Sequence, residues 1–261
     1  MDWGRAKSVL ILAFLLLNAV LGYQLWMEWR ERIDSAVDWT SLSPETRQLM
    51  TNKGIRIDSE IPTEMPLMRE LTYRLKDSPA SAEGEPTPLD PPPNTRIVFS
   101  EEELQQSLGG TIPELAKYRF DNPGSNEKMF VLNRVEGDWP IFDVRVELYY
   151  QNQKITGYRQ DRIDSVTFGS EKPQKVLPAT QAVDKLIKNY LPAGSAIKEI
   201  ELGYHGQMFD SETQVSIPSW RVLLEDGEVY YVNANSGEVV TDRADPSGEK
   251  PAADGVAGIG G

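Results

Sequence analysis

Few side chains in this sequence belong to the types that enzymes use as acids, bases or nucleophiles. The single histidine, His205, follows a predicted strand, and no serine or cysteine nucleophile motif lies near it. A lone histidine of this kind is more often a hydrogen-bonded surface residue than a general base. Asp143 and Glu147 are four residues apart on a predicted strand, hence on one face, where two carboxylates would suit acid and base catalysis. Alternating charges on a solvated sheet face explain this pair more simply.

The sequence also lacks the residues needed for a metal site or for thiol chemistry. Asp161 and Asp164 would suit part of a calcium site, but the D-x-D-x-D-G spacing of such loops is missing. The chain has no cysteine and one histidine, too few for a conventional zinc centre or a Ser-His-Asp triad. With 40 acidic and 27 basic residues, it would repel the phosphates of nucleic acids. We therefore predict a binding protein with no enzyme activity, no cofactor, no metal site and no nucleic-acid partner.

An uncharged apolar stretch near the N-terminus predicts attachment to a membrane. Residues 8–26 carry no charge and would form a helix of roughly 28 Å, close to the ~30 Å hydrocarbon core of a bilayer. A cleaved signal is usually shorter and ends in small residues, whereas Leu21 stands where a small residue is needed. We predict an uncleaved transmembrane helix with residues 1–7 in the cytoplasm. Aromatic and basic side chains flank it as interface anchors, namely Trp3, Arg5, Lys7, Trp26 and Trp29.

One stripe of this helix is a candidate interface with other membrane helices. Its residues follow one another at spacings of four, three, four and three, and are Ile11, Leu15, Asn18, Gly22 and Leu25. An amide inside hydrocarbon gains from a hydrogen-bonding partner, by on the order of 0.6 to 2 kcal/mol. The alternative reading is that a single anchor simply tolerates one Asn and one Gly, and the sequence does not decide between the two.

The remainder of the chain divides into segments of different composition. Segment 76–95 contains six prolines together with Ser, Glu and Gly, which is typical of a linker or loop. The predicted segments are a stalk with the N-terminal part of the ectodomain at 27–75, the linker at 76–95, a first α+β unit at 96–170, a second at 171–242 and a disordered tail at 243–261.

Each α+β unit is predicted as a helix followed by strands. In the first, Ser100 and Glu103 form a capping box, and Gly109-Gly110 ends the helix. In the second, apolar residues at helical spacing follow Pro178, and strand-like segments follow at 197–204, 219–224 and 228–233. A helix followed by an antiparallel meander indicates an α+β fold, because parallel crossovers would require helices between single strands.

Several stretches resemble a known family. The N-terminal MDWGRAK with the following ILAFLLLN and YQLW is similar to the start of YycI (WalI) regulatory proteins of Gram-positive bacteria. Lys53-Gly54-Ile55, Trp220-Arg221-Val222, Tyr230-Tyr231-Val232 and Ser236-Gly237-Glu238-Val239 are similar to the same family and, more loosely, to PepSY-type repeats. The two α+β units would then be PepSY-like.

The resemblance implies a single-pass cell-membrane protein with an extracytoplasmic domain and no enzyme activity. Its implied partners are a YycH-like protein and the WalK (YycG) sensor histidine kinase, part of a two-component system that controls cell-wall metabolism. In that family the membrane helix is implicated in the kinase contact. The alternatives are a PepSY-like inhibitor or chaperone of a secreted protease and an anchored hydrolase that uses Asp143 and Glu147.

Overall fold

The structure is a computed structural model that describes most of the chain beyond residue 41. The described residues are 42–76, 86–90, 101–126, 128–152, 154–206 and 211–241, together with Phe14, Leu15, Asn18, Val20 and Leu21 of the N-terminal segment. Within this part of the chain, no helix has the length and apolar character needed to cross a bilayer. Most of the predicted membrane helix at 8–26 lies outside the described residues, as does the predicted tail at 243–261.

Short helices and many strands make up the described fold. The helices are α1 (Pro44–Lys53), α2 (Glu101–Leu108), a 3-10 helix η1 (Leu115–Lys117) and α3 (Ala179–Asn189). The strands are β1 (Arg56–Ile57), β2 (Leu67–Met68), β3 (Leu71–Leu75), β4 (Thr87–Pro88), β5 (Tyr118–Asn126), β6 (Met129–Glu136), β7 (Trp139–Gln151), β8 (Lys154–Gln160), β9 (Ile163–Phe168), β10 (Gln174–Lys175), β11 (Ala196–His205), β12 (Thr213–Leu224), β13 (Val229–Asn233) and β14 (Val239–Thr241).

Local sequence signals set the ends of α1. The Ser43 hydroxyl accepts a hydrogen bond from the Thr46 N–H, and Pro44 occupies the first turn, where its missing N–H costs nothing. Gly54 ends the helix at a φ of 67°, a left-handed conformation that only glycine adopts without steric cost. The helix packs beside α3, and Lys53 Nζ donates hydrogen bonds to the Ile187 carbonyl in the last turn of α3 and to the Leu191 carbonyl just beyond it.

Twelve of the described strands form one sheet, in which two antiparallel meanders are joined side by side. Its main path runs β14-β13-β12-β11-β7-β6-β5. The meanders meet where β11 runs parallel to β7, with Tyr204 opposite Ile141. Strand β3 lies between β12 and β9 and is antiparallel to both.

The core lies between this sheet and the apolar face of α3. The α3 side chains of Val183, Leu186 and Ile187 are fully buried. Trp220 of β12 is buried as well, and its indole N–H donates to the Leu177 carbonyl at 2.8 Å. The 3.6-residue spacing of apolar residues in α3 therefore serves to cover the second meander.

The predicted α+β class is confirmed, and strands lie at all three positions predicted for the second unit, although β12 begins at Thr213, before the predicted 219–224. Because strands from both units hydrogen bond within one sheet, the division into two PepSY-like units stays a prediction. The described part of the segment predicted as a linker contributes to the fold, because Thr87 and Pro88 pair with β8 and Leu89 is buried. The segment predicted as a stalk with the N-terminal part of the ectodomain contributes β3 to the sheet.

Candidate functional site

The contact between β7 and β11, called here the junction, is the place where the two meanders come closest. Gly203 of β11 makes this approach possible, since a Cβ at this position would lie 2.6 Å from both the Phe142 ring and the Pro140 carbonyl oxygen. Around the junction the structure gathers buried polar and aromatic side chains from six strands, β5, β6, β7, β11, β12 and β13. They form the candidate functional site.

A buried ion pair forms the centre of the site. Asp121 of β5 accepts two hydrogen bonds from the Arg221 guanidinium of β12, at 2.8 and 2.9 Å, and both side chains are only 7% exposed. The Asn133 amide donates a further hydrogen bond to Asp121 at 2.9 Å. Four strand intervals of about 4.8 Å separate β5 from β12 along the sheet, farther than an arginine reaches. The sheet therefore curls around these side chains.

Two glutamates of β11 extend the charge network towards solvent. Arg221 donates to Glu199 at 3.0 Å and to Glu201 at 2.7 Å, and Arg119 donates to Glu201 at 3.1 Å. Burial raises the pKa of Glu201 above its ordinary value, while the charge of Arg221 opposes the shift. Burial alone would lower the pKa of Arg221, but the hydrogen bond and charge of Asp121 raise it. The guanidinium therefore stays charged in the interior.

Aromatic rings connect this ion pair to the histidine. The Arg221 guanidinium lies 4.4 Å from the centre of the Phe142 ring, within cation–π range. The Phe142 and Tyr231 ring centres are 5.7 Å apart, and the His205 ring stacks on Tyr231 at 3.6 Å. The arginine and the imidazole thus lie at the two ends of one row of contacting rings.

Asp143 holds His205 in place from the other side. The His205 Nδ1 donates to one Asp143 oxygen at 2.8 Å, and the other oxygen accepts from the Gly206 N–H at 2.8 Å and from the Ser216 hydroxyl at 3.4 Å. Ser216 therefore contacts the carboxylate and not the imidazole, which is not the order of a nucleophile triad. Burial raises the pKa of the neighbouring Tyr73, with a smaller contribution from the Asp143 charge.

The interpretation of Asp143 and Glu147 as charges on a solvated sheet face is wrong. The Glu147 side chain is 4% exposed and accepts from Arg159 at 2.9 Å and from the Tyr149 hydroxyl at 2.7 Å, with Arg145 at 3.0 Å. The two carboxylates are held by different partners, so the structure does not bring them together as an acid and base pair.

Asp161 and Asp164, the aspartates considered as ligands of a calcium site, have different surroundings. Asp161 accepts from the Arg145 backbone N–H at 3.1 Å, and burial raises the pKa of its carboxyl group. Asp164 is exposed on β9. Among the described residues, no group of three or more potential metal ligands comes together.

An open cleft of about 430 Å³ lies beside the charge network. Ile200, Leu202 and Trp220 supply its apolar lining, and Trp139 contributes a partly exposed indole. Its polar lining consists of Glu60, Thr63, Glu64, Arg119, Asp138 and Glu201. Since Glu201 contacts both Arg119 and Arg221, the cleft and the junction share one hydrogen-bonded network.

Of the predicted membrane-helix interface, only Leu15 and Asn18 fall among the described residues. Both are exposed and helical, and the Asn18 amide donates to the Phe14 carbonyl of its own helix at 3.0 Å. The other predicted interface and anchor residues lie outside the described part of the chain, namely Trp3, Arg5, Lys7, Ile11, Gly22, Leu25, Trp26 and Trp29.

Sequence reasoning did not single out Asp121 and Arg221, the central pair of the site. One signal was present, because Arg221 interrupts an otherwise apolar run between Trp220 and Val222-Leu223-Leu224. A charge in such a run indicates a buried ion pair, but nothing in the local sequence identifies a partner one hundred positions away.

Comparison with known proteins identifies the family. A crystal structure of an uncharacterized protein from Eubacterium rectale ATCC 33656 is similar at 13% sequence identity and a TM-score of 0.35, covering 68% of this chain and 70% of that one. No curated protein matches the sequence. The family model described as YycI protein matches residues 38–235, which is most of the chain and includes every strand from β1 to β13. This protein therefore belongs to the YycI family.

Proposed function

We propose that this protein is a membrane-anchored regulator that binds a sensor histidine kinase through its N-terminal helix and its ectodomain, together with a YycH-like partner. The observation that carries the proposal is membership of the YycI family, which implies an auxiliary regulator of the WalK/YycG two-component system and not an enzyme. The proposal adds a cell-membrane location with the N-terminus in the cytoplasm, and through the kinase a role in cell-wall metabolism.

The polar stripe of the N-terminal helix supports the proposed contact with the kinase. An asparagine amide has two N–H donors and an acceptor oxygen, and the bond from Asn18 to Phe14 occupies one donor. No described residue bonds the remaining donor or the oxygen, which would suit a neighbouring helix. Gly22, one turn along the stripe, would allow that helix to approach closely.

The ectodomain chemistry supports binding over catalysis as the mode of action. The side chains suited to catalysis at the junction, His205, Asp143 and Ser216, are occupied by one another and by Tyr231. A binding protein shifts a kinase between two states only through unequal affinity for them. The proposed regulator would therefore favour one conformation of the kinase.

Replacing the stripe tests this proposal. In membranes that contain the WalK-type kinase, the N18L/G22L variant of the full chain is expected to lose most co-purification with the kinase. The matched control is A13L/V20L, which changes two positions on the opposite side of the same helix. Equal association of both variants and the unchanged chain would reject the stripe as the interface.

A separate measurement tests the anchor itself. The chain recovered from cells is expected in the membrane fraction with its N-terminal segment intact. Material that begins beyond Trp26 and remains in the soluble fraction would contradict the proposed topology.

A further inference from the structure

The cleft beside the junction has the chemistry to bind a peptide segment that carries a cationic side chain. We propose that it binds an irregular or extended segment of a partner protein that carries an arginine or lysine next to apolar residues. The inference rests on the ectodomain contact of the proposed function and deepens it by naming the surface and the chemistry of the bound segment. Its test does not involve the membrane helix, so the two proposals can fail separately.

The charge of the cleft favours a cationic occupant. Four carboxylates line it, those of Glu60, Glu64, Asp138 and Glu201, against the one guanidinium of Arg119. Arg119 is already paired with Glu201. The other three carboxylates form no ion pair with a described residue and are exposed at the rim. A positive side chain that enters the cleft therefore meets uncompensated negative charge.

The apolar part of the cleft favours a side chain with an aliphatic stem. The partly exposed Trp139 offers an indole face, the best aromatic platform for an ammonium or guanidinium group. Ile200 and Leu202 also line the cleft and would contact the methylene groups of a lysine or arginine. A hydrated metal ion would gain nothing from this apolar lining.

One wall of the cleft also offers unpaired main-chain groups. Residues 60–65 belong to no described helix or strand, and their N–H and C=O groups form no main-chain hydrogen bond with a described residue. Pro62, Thr63 and Glu64 of this segment line the cleft, while Ile61 anchors it in the core. A polypeptide in the cleft would have hydrogen-bonding partners there that a small cation would not use.

The long acidic segments of this chain do not complement the cleft. The two longest segments outside the described residues, 22–41 and 242–261, each carry four carboxylates and only two cations. A second copy is disfavoured too, because the chain has a net charge of −13. The charge of the cleft therefore favours a basic segment of another protein over these acidic segments and over a second copy.

The test uses the full chain in nonionic detergent micelles and three synthetic peptides. They are Ac-GLRLKG-NH2, a neutral version with citrulline and glutamine in place of the two cations, and the acidic Ac-GLELEG-NH2. By calorimetric titration, the basic peptide is expected to bind and the other two are not. Substituting E60Q/E64Q/D138N should weaken binding by about tenfold, the sum of three moderate charge interactions. W139A should weaken it too, and W139F should restore part of the loss.

Matched variants separate a local site from general acidity. The control E45Q/E171Q/E225Q removes three exposed carboxylates outside the cleft and is expected to leave affinity within about twofold. Because all substituted carboxylates are exposed, each variant should keep the unfolding temperature of the parent chain. Equal weakening by the control, equal binding of the neutral peptide, or equally tight binding of free arginine amide would each overturn the proposal.

Discussion

The ion pair between Asp121 and Arg221 makes a specific prediction about stability. The substitution D121N keeps the size of the side chain and removes its charge, leaving the buried guanidinium with Glu199 and Glu201 alone. Removing one partner of a buried pair typically costs 3–5 kcal/mol. Because two carboxylates still contact Arg221, we expect a loss of about 3 kcal/mol, at the lower end of that range.

This loss corresponds to a measurable change in unfolding temperature. For a chain of this size, about 3 kcal/mol lowers the midpoint by roughly 6–12 °C. Thermal unfolding followed by circular dichroism, on the full chain in detergent, measures it. The control is E225Q, which breaks the Arg56–Glu225 pair at 3.3 Å, where the side chains are 64% and 67% exposed. Such an exposed pair contributes less than about 1 kcal/mol.

Ionic strength adds an independent test. Salt screens exposed charges more than buried ones, so the effect of D121N should persist at 0.5 M NaCl while any effect of E225Q disappears. A D121N variant that unfolds within about 2 °C of the parent chain would refute the reasoning, because the pair would then not be desolvated as the structure describes.

Two further predictions concern the junction and its surroundings. G203A should lower the free energy of unfolding by about 1–3 kcal/mol, because the new Cβ would contact the Phe142 ring. The control G110A, with no atom within 4 Å of its Cβ, should change the free energy of unfolding in urea by less than about 0.5 kcal/mol. Equal effects of the two substitutions would contradict the close approach of the strands. Burial raises the folded-state pKa of Asp161, so its contribution to stability is greatest below its unfolded pKa and is lost as pH rises through the folded pKa. The stability of the parent chain relative to D161N, measured by urea titration, should therefore fall as the pH rises above about 4, and a constant difference would exclude the shift.

Much of the local structure could be predicted because its signals are local. Ser43, Pro44 and Gly54 mark the ends of α1 by capping and by the left-handed conformation, both of which depend on neighbouring residues alone. The apolar spacing of α3 and the β-branched residues of β11 to β13 work in the same way. These patterns suffice for the α+β class and for most element positions.

The arrangement of the strands could not be predicted from the same signals. Periodicity identifies the buried face of a strand but not the strand that it pairs with. Some paired strands lie far apart in the sequence. β3 inserts between β9 and β12, and β7 runs parallel to β11. Asp143 is an example. A carboxylate on a strand of alternating apolar and polar residues is predicted to face solvent, but the parallel pairing of β7 with β11 places His205 against it.

The junction charges are better explained by strand register than by stability. A buried ion pair is often no more stabilising than apolar residues of equal volume, so the double substitution D121L/R221M should recover part of the loss caused by D121N. Apolar side chains would not, however, fix the register of the strands. A slip of β12 by two residues would keep the same face buried but would separate Arg221 from both Asp121 oxygens and leave two charges unpaired.

That register has a consequence for the surface. Trp139 begins β7, while Glu201 lies on β11, so the two line one cleft only because the strands meet with Ile141 opposite Tyr204. Glu201 is also hydrogen bonded to Arg221, so the same charges that align the strands hold the carboxylate at the cleft wall. A variant that weakens the junction without unfolding the protein should therefore lose affinity for the basic peptide, even though it changes no residue of the cleft lining. D121N, measured below its unfolding temperature, is such a variant.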